Sequence, residues 1–406
     1  MKTSISFILL SVAVCALLPS CEKDDSSFSD YDFSKYSLRS QQGDDDEEEV
    51  VTLPDTIALA IAWNGAQATI TGDTGDSVTI AQSAGDITVT STTQRYLQIT
   101  VSGTCPDGSL LVYSDRMWGL VLNGLTLTNN DGPAINNQGG HALYVTLADS
   151  TENALADGSV YADAPKNAAG AVIDQKATFF SEGQVYISGN GSLSVTANSK
   201  NGIASDDFLV IEAAPASGPT IAIQANGTNG IKVNDGMEIY GGTLTIDVTS
   251  DGGRGIKNDA SMTIAGGRTT ITTTGDCRIE TADGIIGTTS CAGIKCDSTF
   301  TMTAGELTIL STGDGGKGIN SGGNVEMKGG TLVVTTTGGN EMAKPKGVKS
   351  DTGIILSGGS FTSKVNKSWA CDNGSDSSNI IGMITIVGTP NMETLTLKKK
   401  EVIVEF

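Results

Sequence analysis

From residue 202 onward one short apolar pattern returns at intervals along the chain. Each copy opens on glycine followed by isoleucine or valine: Gly202-Ile203, Gly230-Ile231, Gly255-Ile256, Gly293-Ile294, Gly318-Ile319 and Gly347-Val348. Successive openings lie 28, 25, 38, 25 and 29 residues apart. Counted from the glycine, apolar side chains return at the first, seventh, ninth, fourteenth and sixteenth positions, as in Ile294, Phe300, Met302, Leu307 and Ile309. The steps of two are the strand period, which places alternate side chains on one face. Between the pairs stand Gly241-Gly242, Gly266-Gly267, Ala304-Gly305, Gly329-Gly330 and Gly358-Gly359. Glycine at such corners permits positive φ and close backbone approach.

Three short strands cannot enclose a core alone, but parallel coils stacked at the inter-strand distance can. The pattern therefore predicts an all-β chain, a right-handed parallel β-helix with three short strands per coil of about 25 residues. A sandwich or propeller fits less well, because the same residue types recur at the same places in five coils. Residues 51–170 are less regular. Thr69-Ile70, Val78-Thr79-Ile80, Ile87-Thr88-Val89 and Leu97-Gln98-Ile99 read as the first strands of the same stack, and the region of Ile403 as its closing cap. The expected organisation is a targeting segment over 1–20, a tether over 21–50 and one domain over 51–406.

The N-terminus changes the cellular picture. Lys2 precedes an apolar run from Ile5 to Leu18, too short to span a bilayer, ending Leu18-Pro19-Ser20-Cys21. This resembles a bacterial lipobox, with Cys21 the lipidated residue. Glu22-Lys23-Asp24-Asp25 looks like a signal that sends some lipoproteins to the outer surface. The expected place is thus the outer membrane, exposed on the cell surface and held by a lipid on Cys21. The tether ends in six consecutive acids, 44–49, a run that stays solvated.

The whole chain carries a net charge of −21. Residues 1–50 hold 11 acids and 4 bases, leaving 35 acids against 21 bases, a net −14, in the rest. That charge disfavours nucleic acid and anionic membrane as partners. Beyond Cys15 and Cys21 stand Cys105, Cys277, Cys291, Cys296 and Cys371. Cys277 and Cys291 bracket the longest insertion, and a disulfide there is one possible pairing, Cys296 being an equal candidate partner. No Cys-x-x-Cys pair or histidine cluster suggests zinc.

Several segments carry a family resemblance. They are Leu120-Val121-Leu122-Asn123-Gly124-Leu125-Thr126-Leu127, Thr151-Glu152-Asn153-Ala154-Leu155-Ala156-Asp157-Gly158, Gly189-Asn190-Gly191-Ser192-Leu193-Ser194-Val195, Asn201-Gly202-Ile203-Ala204-Ser205-Asp206-Asp207 and the Gly-Ile-Lys coils. Together they resemble bacterial parallel β-helix lipoproteins of the carbohydrate-binding domain-containing kind, related in fold to pectate lyases. The resemblance implies calcium sites on the β-helix and binding of acidic plant polysaccharide such as polygalacturonate. It assigns no calcium ligand residue by residue.

Stacking turns repeated positions into columns. Two residues past the glycine stand Lys232, Lys257, Lys295 and Lys349, interrupted by Asn320. Four past it stand Asp206, Asn234, Asp259, Asp297 and Asp351, and four before it Asn198, Asn226, Asp251 and Asp314. Stacked lysines repel one another and need partners. Two readings follow with equal claim: a self-compensating surface ladder, each pair contributing under ~1 kcal/mol, or a groove in which carboxylates hold Ca²⁺ while lysines meet sugar carboxylates. An acidic protein that binds a polyuronate must overcome like-charge repulsion, which a shared divalent ion does directly. This favours calcium, with Asp206, Asp207, Asp251, Asp259, Asp283 and Asp297 as candidate ligands and Lys232, Lys257, Lys295 and Arg254 as candidate sugar contacts.

Binding without catalysis is the leading expectation. The enzymatic alternative is a calcium-dependent polyuronate lyase acting by β-elimination, with Lys257, beside Arg254 and Asp251, as base. An adhesin or spacer is a third reading. Glycosidic hydrolysis of the polygalacturonase kind is set aside, because that family's Gly-His-Gly is missing and His141 is the sole histidine. Trp63, Trp118 and Trp369 are widely separated, which disfavours a flat aromatic platform, and Trp118 reads as core or edge packing.

Overall fold

The computed structural model describes residues 55–214, 217–282, 285–373 and 384–406. The segments expected to target and tether the chain, including Cys21, lie outside the described residues, as does Asp283. No helix occurs among the described residues; the architecture is all-β.

The repeat reads directly in the strand pairing. A first ladder runs through Ile231–Val233, Arg254–Asn258, Ala292–Cys296, Lys317–Ser321, Lys346–Ser350 and Trp369–Asp372, every neighbour parallel. A second runs through Gly236–Ile239, Met262–Ile264, Phe300–Met302, Val325–Met327, Ile354–Leu356 and Ile384–Ile386. A third runs through Thr243–Val248, Arg268–Thr273, Glu306–Ser311, Thr331–Thr336 and Ser360–Val365. Each repeat thus gives one strand to each ladder and pairs with the corresponding strand one repeat later. Long parallel sheets follow from this stacking.

The apolar columns fill the interior. Ile231, Ile256, Ile294 and Ile319 are fully buried in register, as are Met237, Met262, Phe300 and Val325. Each such side chain contributes about 1.5–3 kcal/mol through apolar burial. The phrase glycine and the corner glycines serve different ends. A Cβ at Gly255 would stand 2.3 Å from Ile271 Cγ2 and 2.6 Å from the Gly293 carbonyl, so glycine is what lets adjacent coils close. At the corners it is the second glycine that turns left-handed: φ is +74° at Gly242, +70° at Gly267 and +80° at Gly330.

The ends depart from simple stacking. Thr56–Asn64 pairs antiparallel with Ala68–Gly72 and parallel with Tyr96–Cys105, and Val78–Ser83 pairs antiparallel with Asp86–Ser91. The segments at Thr69-Ile70 and Val78-Thr79-Ile80 are therefore antiparallel arms of hairpins, the first a second arm and the other a first arm, whereas Ile87-Thr88-Val89 and Leu97-Gln98-Ile99 belong to the parallel ladders. At the other end Glu401–Glu405 closes antiparallel on Ser360–Val365, the cap expected around Ile403. Trp118 is core: it is fully buried, and its indole Nε1–H donates to Asn137 Oδ1 at 3.2 Å. The five cysteines in the described domain are all buried and free, so Cys277 is bonded to neither of its two candidate partners, Cys291 and Cys296. Cys296 instead takes an inward ladder position and donates its thiol to the Ala260 carbonyl at 2.9 Å.

Candidate functional site: a cationic cavity on the lysine ladder

The lysine column exists. Lys232 pairs in register with Lys257, Lys257 with Lys295, Lys295 with Asn320 and Asn320 with Lys349. The acids two residues on do what the ladder reading requires. Lys295 pairs with Asp297, Lys349 with Asp351, and Asp259 receives both Lys232 and Lys257, the latter at 3.3 Å. Lys232 Nζ also donates to Asn234 Oδ1 at 2.7 Å. Partial burial pushes the Asp259 carboxyl up, but the two ammonium groups outweigh it and hold it below its usual value.

The column four residues before the glycine has a different task. Asp251 Oδ1 accepts the Asp276 N–H at 2.9 Å, Asp276 Oδ1 accepts the Asp314 N–H at 2.7 Å, and the Asp314 carboxylate accepts the N–H groups of Glu341 and Met342 at 2.9 Å each. Each carboxylate therefore caps a corner of the next coil. Asp276 in the long insertion joins this stack. The rest of the insertion forms a hairpin, Arg278–Ala282 against Ile285–Thr289, in which Arg278 pairs with Glu280.

Where these columns meet the hairpin, a cavity of about 240 Å³ opens, with Asn201, Asn229, Lys232, Asp251, Arg254, Lys257 and Arg278 on its walls. Of the sequence-derived candidates, Lys232, Asp251, Arg254 and Lys257 come together here, whereas Lys295 and Asp297 lie outside the lining. An amide ladder leads to the cavity: Asn229 Nδ2 donates to Asn201 Oδ1 at 2.8 Å, and Asn229 Oδ1 accepts the Arg254 N–H at 3.1 Å. Four cationic side chains face one wall carboxylate, in a chain whose net charge is −21.

Arg254 is the unusual member. Lys232 and Lys257 are paired to Asp259 and Arg278 to Glu280, yet no side-chain hydrogen bond or ion pair joins the Arg254 guanidinium to a described residue. Burial lowers its pKa, with Glu280 acting against that and Arg278 with it. A half-buried cation that lines a cavity and has no side-chain bond among the described residues is a group whose desolvation an arriving anion would offset.

The acids group elsewhere. Among the described residues, three carboxylates converge at Asp174, Glu182 and Asp206, their ligand atoms all within 4.8 Å of one another. Lys176 pairs with Asp174 at 2.5 Å and with Asp206. Burial, together with the charges of Asp206 and Asp174, pushes the Glu182 carboxyl up to about 7. Asp206 was legible in the sequence as an acid four residues past the phrase glycine; Glu182 stands at the same place one coil earlier, since Ser181 pairs with Ser205, but no Gly-Ile phrase marks that coil, and Asp174 belongs to no such position. Asp207 is not in this group; burial raises the Tyr186 phenol, and the charges of Glu212, Asp207 and Glu238 add to that. Asp251, Asp259 and Asp297 join no such cluster.

Two further cations were missed. The residue just before the phrase glycine forms its own register column, Arg254, Ala292, Lys317 and Lys346. Lys346 pairs with Asp372, and burial next to Lys349, Lys295 and Lys346 lowers Lys317 to about 8. The signal was present in the repeat, one residue outside the phrase.

A family model described as carbohydrate-binding domain-containing protein matches residues 83–254 and 245–340, well over half of the chain. A carbohydrate-binding domain-containing protein of Acetivibrio thermocellus is 34% identical over 116 residues, 28% of this chain and 38% of the relative, so the match spans well under half of that relative's length. A solved structure of a polysaccharide lyase-like protein from C. thermocellum, a gadolinium derivative, superposes with a TM-score of 0.51 at 23% identity, covering 68% of this chain and 97% of that one, a likeness of fold alone. The chain belongs to the family of carbohydrate-binding domain-containing proteins.

Proposed function

We propose that this protein is a non-catalytic binding module for acidic polysaccharide of the polygalacturonate type, with the cavity around Arg254 as the subsite for one uronate carboxylate. The observation that carries the reading is the Arg254 guanidinium, without a side-chain bond among the described residues, in a cavity also lined by Lys232, Lys257 and Arg278. A guanidinium fork suits bidentate recognition of a carboxylate, and the lysines add long-range attraction that the acidic remainder of the chain lacks. The stacked parallel ladders, read as a right-handed β-helix, offer a polymer a straight edge along which subsites follow one another. Lys257 contacts Asp259 at 3.3 Å, as a ladder member does, which supports binding over β-elimination.

Calcium has a separate place in this reading. The hard oxygen donors of Asp174, Glu182 and Asp206 fit Ca²⁺ once Lys176 is displaced from between them. An ion there would supply positive charge beside an acidic surface. A lipid on Cys21 would hold the domain at the outer cell surface, where it would present polymer to separate enzymes or transporters.

The test is titration calorimetry of the full chain with polygalacturonate, fully methyl-esterified pectin and neutral galactan, with and without chelator. The de-esterified polymer is expected to bind at least about tenfold more tightly than the esterified one, a gap of about 1.4 kcal/mol, with no rise in ultraviolet absorbance from unsaturated product. Equal binding of both polymers would remove the carboxylate from the recognition chemistry.

A further inference from the structure

A second cavity, of about 470 Å³, opens on the segments 159–164, 172–175 and 199–200. Lys200 lines it, and the next residue, Asn201, lines the cationic cavity. Its wall is held in place. The Ala162 N–H donates to the Asp131 carbonyl at 2.7 Å, the Ile173 N–H to the Pro165 carbonyl at 3.0 Å, and Lys166 bridges to Val172.

The chemistry of this cavity differs from that of its neighbour. Tyr161 donates its hydroxyl to Asp157 Oδ2 at 2.6 Å, and the Lys200 ammonium lies 5.0 Å from its ring centroid. Lys200 Nζ also donates to the Gln175 carbonyl at 2.5 Å, so this cation is engaged on two sides. Asp163 and Asp174 add carboxylates to the wall. Val160 and Val172 add aliphatic surface that is 73% and 63% exposed. Asp163, which stands outside the proposed calcium site, repels a uronate beside an engaged lysine, but it accepts hydrogen bonds from sugar hydroxyls. Aliphatic side chains and a fixed aromatic ring cover the C–H faces of a sugar.

We infer that this cavity is a subsite for an uncharged, hydroxyl-rich sugar residue of the same polymer. The preferred ligand is then an acidic polysaccharide of that type in which neutral residues accompany the uronates. This rests on the uronate reading of the Arg254 cavity.

The test titrates the full chain with a galacturonate tetrasaccharide and with gluco-, galacto-, xylo- and arabino-tetrasaccharides. Two variants are used, Val160→Arg and Arg254→Ala, with thermal melts to verify folding. At least one neutral tetrasaccharide should bind, insensitive to salt, and Val160→Arg should weaken it about tenfold or more. The inference is overturned if no neutral probe binds, if its binding survives Val160→Arg, or if Arg254→Ala abolishes it. Failure of the uronate reading shows separately, as galacturonate binding that ignores Arg254→Ala.

Discussion

At the scale of residues, the lysine column divides into paired and available charge. Lys295 and Lys349 each hold an acid two residues on, and partly exposed pairs of this kind contribute under ~1 kcal/mol. Lys295→Ala is therefore expected to leave both melting temperature and uronate binding nearly unchanged. Asp259 is the acid that restrains the cavity, because it holds Lys232 and Lys257 together. Asp259→Asn should tighten uronate binding severalfold in calorimetry and steepen its salt dependence. The same substitution should cost stability only where the carboxylate is ionised. Its folded pKa is lowered below 3.8, so the stabilisation is full above that value and disappears as pH falls through the lowered one. Melts of the variant and the parent chain should converge in acid.

The elements show what the sequence could and could not say. Inward positions such as Phe300 and Ile294 were legible because stacking repeats them at fixed spacing, and they are fully buried. Phe300→Ala should cost about 3–5 kcal/mol in denaturant unfolding, the range for a large core truncation. The hairpins at the N-terminal end were not legible, since alternation is the same for parallel and antiparallel neighbours and only pairing separates them. The acid cluster was hidden for another reason. Asp174 lies before the strand Ala177–Ser181, and Glu182 directly after it in a coil that the stacking includes but that lacks the Gly-Ile phrase. Lys317 was in the repeat yet overlooked, and its environment makes a prediction. Its folded pKa of about 8 lies below the ordinary lysine value of 10.5. Between those values the unfolded chain binds the proton and the folded chain does not, so stability rises with pH across that window. Lys317→Met should flatten this rise in melts taken from pH 8 to 10, and should stabilise the protein at neutral pH.

For the whole molecule, an excess of acid is arranged so that one cavity is cationic. A net charge of −21 repels a polyuronate at long range, so binding has to be local. In the function proposed above, the family assignment supplies carbohydrate, the cavity would supply the preference for a carboxylate, and the repeated coils the length. The measurement closest to the central claim is calorimetric titration of a galacturonate tetrasaccharide into the parent chain and into Arg254→Gln, which keeps polar bulk but removes the charge. A loss of about tenfold or more in affinity at unchanged melting temperature is the predicted result. Equal affinity in the two proteins would contradict the account.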